Sequence, residues 1–179
     1  MKQQEVAMIL TTSNTLTVAF LSEIKAPMQD STLNIHIDGY TTYYALRESP
    51  TGGMCALVRE NRQMSLWEGL CQEPNVTSER IWVMDHKNDM AFCGLYLRPD
   101  APTSSYAYMN NDKILNALTE EIMNRKNEGY FCVVLGDLNA HVKVDDNFYF
   151  TSYPHAENNN GKLVGNFARM NNLYCLNGL

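Results

Sequence analysis

Paired cysteines are missing from this 179-residue chain: Cys55, Cys71, Cys93, Cys132 and Cys175 are odd in number, widely spaced and never in a CxxC arrangement. That pattern argues against a zinc site or a disulfide framework and leaves reduced, buried thiols in an intracellular protein as the expectation. Long apolar runs are missing too. After MKQQE comes only VAMIL, too short for the core of a signal peptide, and no stretch approaches membrane-spanning length, so no membrane partner is expected. Without a secretory signal, the Asn-Val-Thr at 75–77 reads as a chance match to a glycosylation site. Positive charge is scarce, with 14 Lys and Arg against 20 Asp and Glu and a formal charge of -6. The bulk field therefore repels polyanions, and contact with nucleic acid would need local basic residues or a metal. Neither an internal repeat nor a low-complexity tract occurs, ENNNG being a plain turn cluster.

What is present is a 45% hydrophobic content over the length of one domain, taken as residues 1–179. The pattern alternates between helix and strand. Residues 3–14 read as the end of an amphipathic helix, and 15–23 as a strand buried on both faces that ends at Glu23. Period-two alternation over 33–46 gives a strand with its own turn at Asp38-Gly39, and a glycine pair introduces another strand over 52–60. Residues 80–99 form a hairpin of two apolar strands around a polar turn. Over 110–130 the spacing of Ile114, Leu115, Leu118, Ile122 and Met123 predicts a helix stopped at Gly129. FCVVL follows as a buried strand, 143–161 as a polar loop, 162–172 as a short helix and 173–176 as a last strand.

Such an order indicates an α/β domain. Two acids stand at strand ends, Glu23 and Asp137, on the edge where ligand sites collect in these sheets. Short carboxylates there suit a hard cation such as Mg²⁺, with Mn²⁺ as the alternative, which keeps waters for phosphate and nucleophile. In VVLGDLNAHV, Asn139 lies two residues beyond Asp137 and can orient a water or a phosphate oxygen without adding charge. Without further context, a lone Glu after a strand is usually solvated and an Asp-x-Asn is often an Asx-type turn.

Taken together and in order, FLSEIKAP, TGGMCALVRE, CGLYLRPDAP, ILNALTEEIMNRK and CVVLGDLNAHV resemble the endonuclease/exonuclease/phosphatase superfamily, and within it the endonuclease domains of non-LTR (LINE-type) retrotransposon polyproteins. The resemblance implies a four-layer α/β sandwich, two packed mixed sheets flanked by helices, and Mg²⁺-dependent phosphoester hydrolysis. Carried over residue by residue, it makes Glu23 the metal ligand and Tyr96, of a Tyr-x-x-Pro segment, a group that positions the phosphate. Asp137 becomes the base or orienter of the attacking water, and Asn139 a ligand for water or phosphate. His141 sits at the family's Asn-Ala-His position, where a loop-stabilising role is expected.

The family's first strand, ending in an Asn, and its closing strands with a Ser-Asp-His segment have no counterpart here, so the chain is expected to be an interior part of the domain, lacking those elements, within a larger polyprotein. MDHKND at 84–89 lies on the wrong side of the Asp-x-Asn motif to replace that segment, and His155 has no adjacent Asp. Lys25, Arg59 and Arg98 are the basic residues near the motifs, each read first as solvated. The implied partner is DNA or another phosphoester substrate, and family analogy suggests a nuclear location. Two other readings stay open: a noncatalytic remnant or partner-binding module of the same fold, and a phosphatase of small phosphorylated ligands.

Overall fold

The structure, a computed structural model, describes residues 16–24, 35–46, 52–67, 79–99, 102, 106–142 and 156–175. Its elements in chain order are β1 (Val18–Ser22), β2 (Tyr40–Ala45), β3 (Met54–Arg59), β4 (Met64–Trp67), β5 (Arg80–Asp85), β6 (Met90–Tyr96), α1 (Tyr106–Asn127), β7 (Phe131–Asp137) and α2 (Asn159–Met170). They build an α/β sandwich with two sheets, ordered β1-β3-β2 and β4-β5-β6-β7. The first is antiparallel throughout, so the two mixed sheets expected are one antiparallel and one mixed. In the second, only β7 runs parallel to its neighbour β6, because the long helix α1 carries the chain back to the starting end before β7 begins.

Alternation along the strands explains the layers. Met54, Ala56 and Val58 of β3 face Ile81, Val83 and Tyr96 of the second sheet, with Val18 and Phe20 of β1 packed against them. Trp82, Met84, Ala91, Cys93 and Leu95 point the other way, onto Ile114, Leu115, Leu118 and Ile122 of α1 and Phe167 of α2. Each of these aliphatic side chains contributes about 1.5–3 kcal/mol by leaving water. On the outer face of the first sheet Leu57 joins Ile37, Tyr40, Ala19 and Leu21 in a third cluster, so both faces of that sheet are apolar. The helix expected over 3–14 lies outside the described residues. Gly94 lets the two sheets approach closely: a Cβ there would come within 2.3 Å of the Phe20 ring. That contact seats β1 on β6.

A buried ion pair crosses the helix layer. Arg80 donates Nε (2.8 Å) and Nη2 to the carboxylate of Glu121, which also accepts the indole N–H of Trp82 at 2.9 Å. Neither charged side chain is more than 2% exposed.

Several expectations need correcting. Neither β1 nor β7 is buried on both faces: every residue of β1 is half-buried, and β7 exposes Phe131 (72%) and Leu135 (42%). Among the described residues each has a strand neighbour on one side only, and a short apolar run looks the same at a sheet edge as in its centre. Helix α1 begins earlier, at Tyr106, and Met123, one step round from Ile122, faces solvent at 58% exposure. Arg125 and Lys126 complement the dipole in the last turn, and Gly129, at φ 93°, ends the helix where expected. Helix α2 starts at Asn159 behind the N-cap Asn158, which shortens the polar loop, and residues 173–175 are irregular, not strand. Strand β4 was not anticipated. The thiols of Cys55, Cys93, Cys132 and Cys175 are free, the first two buried.

Candidate active site

Strands β6 and β7 end side by side, with Tyr96 paired in register to Asp137. Leu97 N–H then donates to Asp137 O (3.0 Å), closing the ladder. Just before this point Gly136 adopts φ 148°, and a Cβ on it would lie 1.8 Å from Leu95 O. Only glycine lets β7 press this closely against β6 and still deliver an acid one residue later.

From the opposite sheet, Glu23 follows β1 with φ 55°, a left-handed conformation that costs a non-glycine residue about 1–2 kcal/mol. Ile24 N–H, not Glu23 N–H, donates to Gly53 O (3.3 Å), so the acid bulges out of the ladder. This kink turns the carboxylate toward the second sheet, where the buried Tyr96 donates its O–H to Glu23 Oε1 at 2.6 Å. Burial pushes the Tyr96 phenol up, helped by the bond to Glu23 and by the charges of Glu23 and Asp137, while Arg98 pulls it down. The phenol is therefore a neutral donor, and its one proton is committed to Glu23.

Asp137 is exposed, and its Oδ1 accepts Asn139 N–H at 3.0 Å. Asn139 is left-handed as well, at φ 45°, a conformation that asparagine tolerates. Its Nδ2 donates to Leu97 O at 2.9 Å, which fixes the amide orientation, since a carbonyl can only accept. His141 is held through its backbone: its N–H donates to Asn158 Oδ1 (2.9 Å) and its carbonyl accepts Asn158 N–H (3.3 Å).

Of the expected set, Glu23, Tyr96, Asp137 and Asn139 come together at one end of the sandwich, and His141 lies on the loop behind them. Arg98 leans toward Glu79 and Tyr106, and Arg59 toward Tyr40; Lys25 and His155 lie outside the described residues. The Asp-His of residues 85–86 is at the far end of β5. There Asp85 accepts the Lys87 and Asn88 N–H groups of the hairpin turn, and His86 joins Ser65 Oγ (2.7 Å) to Tyr130 OH (2.8 Å). Sequence reasoning missed Asn111, Asn158 and Asn160, whose amides hold the loops at the site. The Asn-x-x-Gly spacing from Asn158 to Gly161, with a helix behind it, was the available signal.

Among the described residues, Glu23 and Asp137 bring carboxylate oxygens to this corner, the donor chemistry a hard divalent cation takes. Among the described residues no group of three or more His, Cys, Asp or Glu side chains is placed to hold a metal. No helix among them is long and apolar enough to cross a membrane.

Two stacked sheets with helices over the mixed one make an α/β sandwich, a fold that the chain shares with exonuclease and AP endonuclease structures. Among solved structures, a 3′ phosphatase, NExo, from Neisseria bound to a product DNA hairpin matches with TM-score 0.65 at 15% identity over 94% of this chain and 66% of its own. The AP endonuclease LMAP from Leishmania major matches with TM-score 0.68 at 9% identity over 94% and 61%. For the catalytic domain of Xenopus laevis APE2 the values are 0.63, 14%, 90% and 62%. At these identities the likeness establishes the fold, and the chain spans less than two thirds of the length of each. No protein-family model matches the chain, and no curated protein does.

Proposed function

We propose that the chain is part of a metal-dependent phosphodiesterase domain acting on DNA, of the endonuclease type found in non-LTR retrotransposons. The observation that carries this reading is the 2.6 Å bond from Tyr96 to Glu23 across the two sheets, with Asp137 in register beside Tyr96. The retrotransposon assignment rests on the ordered sequence motifs, and DNA as substrate is supported by the hairpin bound to the Neisseria neighbour.

Glu23 would hold Mg²⁺, which when bound supplies charge neutralisation at the phosphate. Tyr96 orients Glu23 and, as a neutral phenol, adds no negative charge near the phosphodiester. Asp137, with Oδ1 pinned by Asn139 N–H, keeps its remaining lone pairs for the attacking water, which it orients and deprotonates. Because Asn139 spends one amide proton on Leu97 O, its Oδ1 and second proton are what it can offer water or phosphate.

A second reading, a noncatalytic module that accepts a partner strand, is favoured by the exposed Phe131 and Leu135 on β7. Nicking of supercoiled plasmid separates the two. The phosphodiesterase reading expects nicking in Mg²⁺ that EDTA and Asp137→Ala abolish; a folded sample that leaves the plasmid intact refutes it.

A further inference from the structure

Beyond Tyr96 and Asp137 the strands end, yet the chemistry depends on where the next few residues lie. Three side-chain amides hold them. Asn111 of α1, 1% exposed, grips both backbone atoms of Arg98: its Oδ1 accepts Arg98 N–H and its Nδ2 donates to Arg98 O, each at 3.1 Å. Asn160, also 1% exposed, takes Asn111 Nδ2 on its Oδ1 at 2.9 Å. Its own Nδ2 points at three carbonyls, Arg98 O (2.7 Å), Leu138 O (3.2 Å) and Asn139 O (3.3 Å). Asn158 accepts His141 N–H (2.9 Å) and Gly161 N–H (2.7 Å) on Oδ1 and donates Nδ2 to Asn139 O at 3.0 Å.

We propose that Asn111, Asn158 and Asn160 are positioning residues that set Asn139, and through it Asp137, for catalysis; this rests on the phosphodiesterase reading above. A carbonyl bound by two amide donors cannot swing its peptide plane. Held there, Asn139 stays left-handed, its N–H stays on Asp137 Oδ1 and its Nδ2 stays on Leu97 O. Arg98, which follows directly after Tyr96 and Leu97, is tied to the same cluster, so the exits of β6 and β7 are locked to each other and to both helices. Capping does not explain the arrangement. To cap α2, Asn158 needs only the oxygen that accepts Gly161 N–H, and its amide nitrogen is spent on Asn139 instead.

That division of labour supplies the test. Asn158→Asp keeps the acceptor for Gly161 and His141 N–H, adds charge favourable at a helix N-terminus, and replaces the donor facing Asn139 O by an acceptor. The expected result is an unchanged or higher Tm, faster amide exchange at Leu138–Ala140, and a single-turnover nicking rate lower by about 10–100-fold in saturating Mg²⁺ and DNA. Half-saturation by DNA should stay within about twofold, because uniform binding is untouched. Unchanged exchange overturns the proposal, and so does an unchanged nicking rate. A variant that melts lower or fails to fold marks the amide as merely structural and overturns it too. If the folded wild-type chain does not nick, the phosphodiesterase reading fails on its own, and exchange at Leu138–Ala140 together with Tm still decides whether Asn158 holds the loop.

Discussion

Replacing Glu121 by leucine tests the strongest polar contact in the helix layer. The carboxylate is fully buried and accepts from Arg80 Nε and Nη2 and from Trp82 Nε1. Its removal takes two charge-assisted bonds from a guanidinium whose side chain is 2% exposed, at about 3–5 kcal/mol. The unmet indole N–H adds about 1–3 kcal/mol. Against a typical total stability of about 5–15 kcal/mol, this brings the fold close to its limit. Pairing the change with Arg80→Met removes the buried charge, so the double variant should return to within about 3 kcal/mol of wild type, the remaining deficit being the indole. Urea unfolding followed by tryptophan fluorescence suits the question, because both tryptophans of the chain, Trp67 and Trp82, pack edge to face in this core at 6.1 Å. A single Glu121→Leu costing under about 1.5 kcal/mol, or a double variant no better than that single one, refutes the account of a desolvated, mutually dependent pair.

Other outcomes follow from the site and the thiols. Gly136→Ala should lower stability by at least about 3 kcal/mol, from the clash with Leu95 O at φ 148°, and a Tm within a degree of wild type would contradict that geometry. Tyr96→Phe should change stability by less than about 1 kcal/mol, since Glu23 is exposed, yet slow nicking by about tenfold or more; wild-type turnover would show that the phenol does not orient Glu23. Burial pushes the Cys55 thiol up to about 12 and raises Cys93 and Cys132 as well, against an ordinary value of 9.0. The unfolded chain therefore ionises first, so this stability is fully present below pH 9 and is lost as pH rises from there toward the folded values. Tm should fall over that range, less steeply in Cys55→Val, and equal slopes would exclude the thiol as a cause.

How much of this was legible depended on where each residue sits. Strands β3, β5 and β6 and helix α1 were readable because their apolar periodicity matches a buried central strand or a one-sided helix. Strands β1 and β7, each with a strand neighbour on one side only among the described residues, have the same composition as central ones, so their partial exposure is a property of the sheet and not of the segment. Four residues of the candidate site carried their own signal: Glu23 and Asp137 end strands, Tyr96 stands in Tyr-x-x-Pro, and Asn139 follows Asp137. The loop-holding amides carried less: the spacing from Asn158 to Gly161 signals a cap, but Asn160 in ENNNG and Asn111 in a helix read equally as turn or surface, and only the approach of α1 and α2 to Arg98 and Asn139 shows the network. Tyr96 was legible as a site residue, but not the commitment of its proton to Glu23, which depends on two sheets meeting 73 residues apart in sequence.

Glu23 directly follows β1 of the first sheet, and Asp137 closes β7 of the second. The gap between the two carboxylates therefore depends on the spacing between layers, where Phe20 rests on Gly94, as well as on the kink at Glu23. On the phosphodiesterase reading proposed above, trimming Phe20 would let the layers settle and change the distance between the two carboxylates without altering either one.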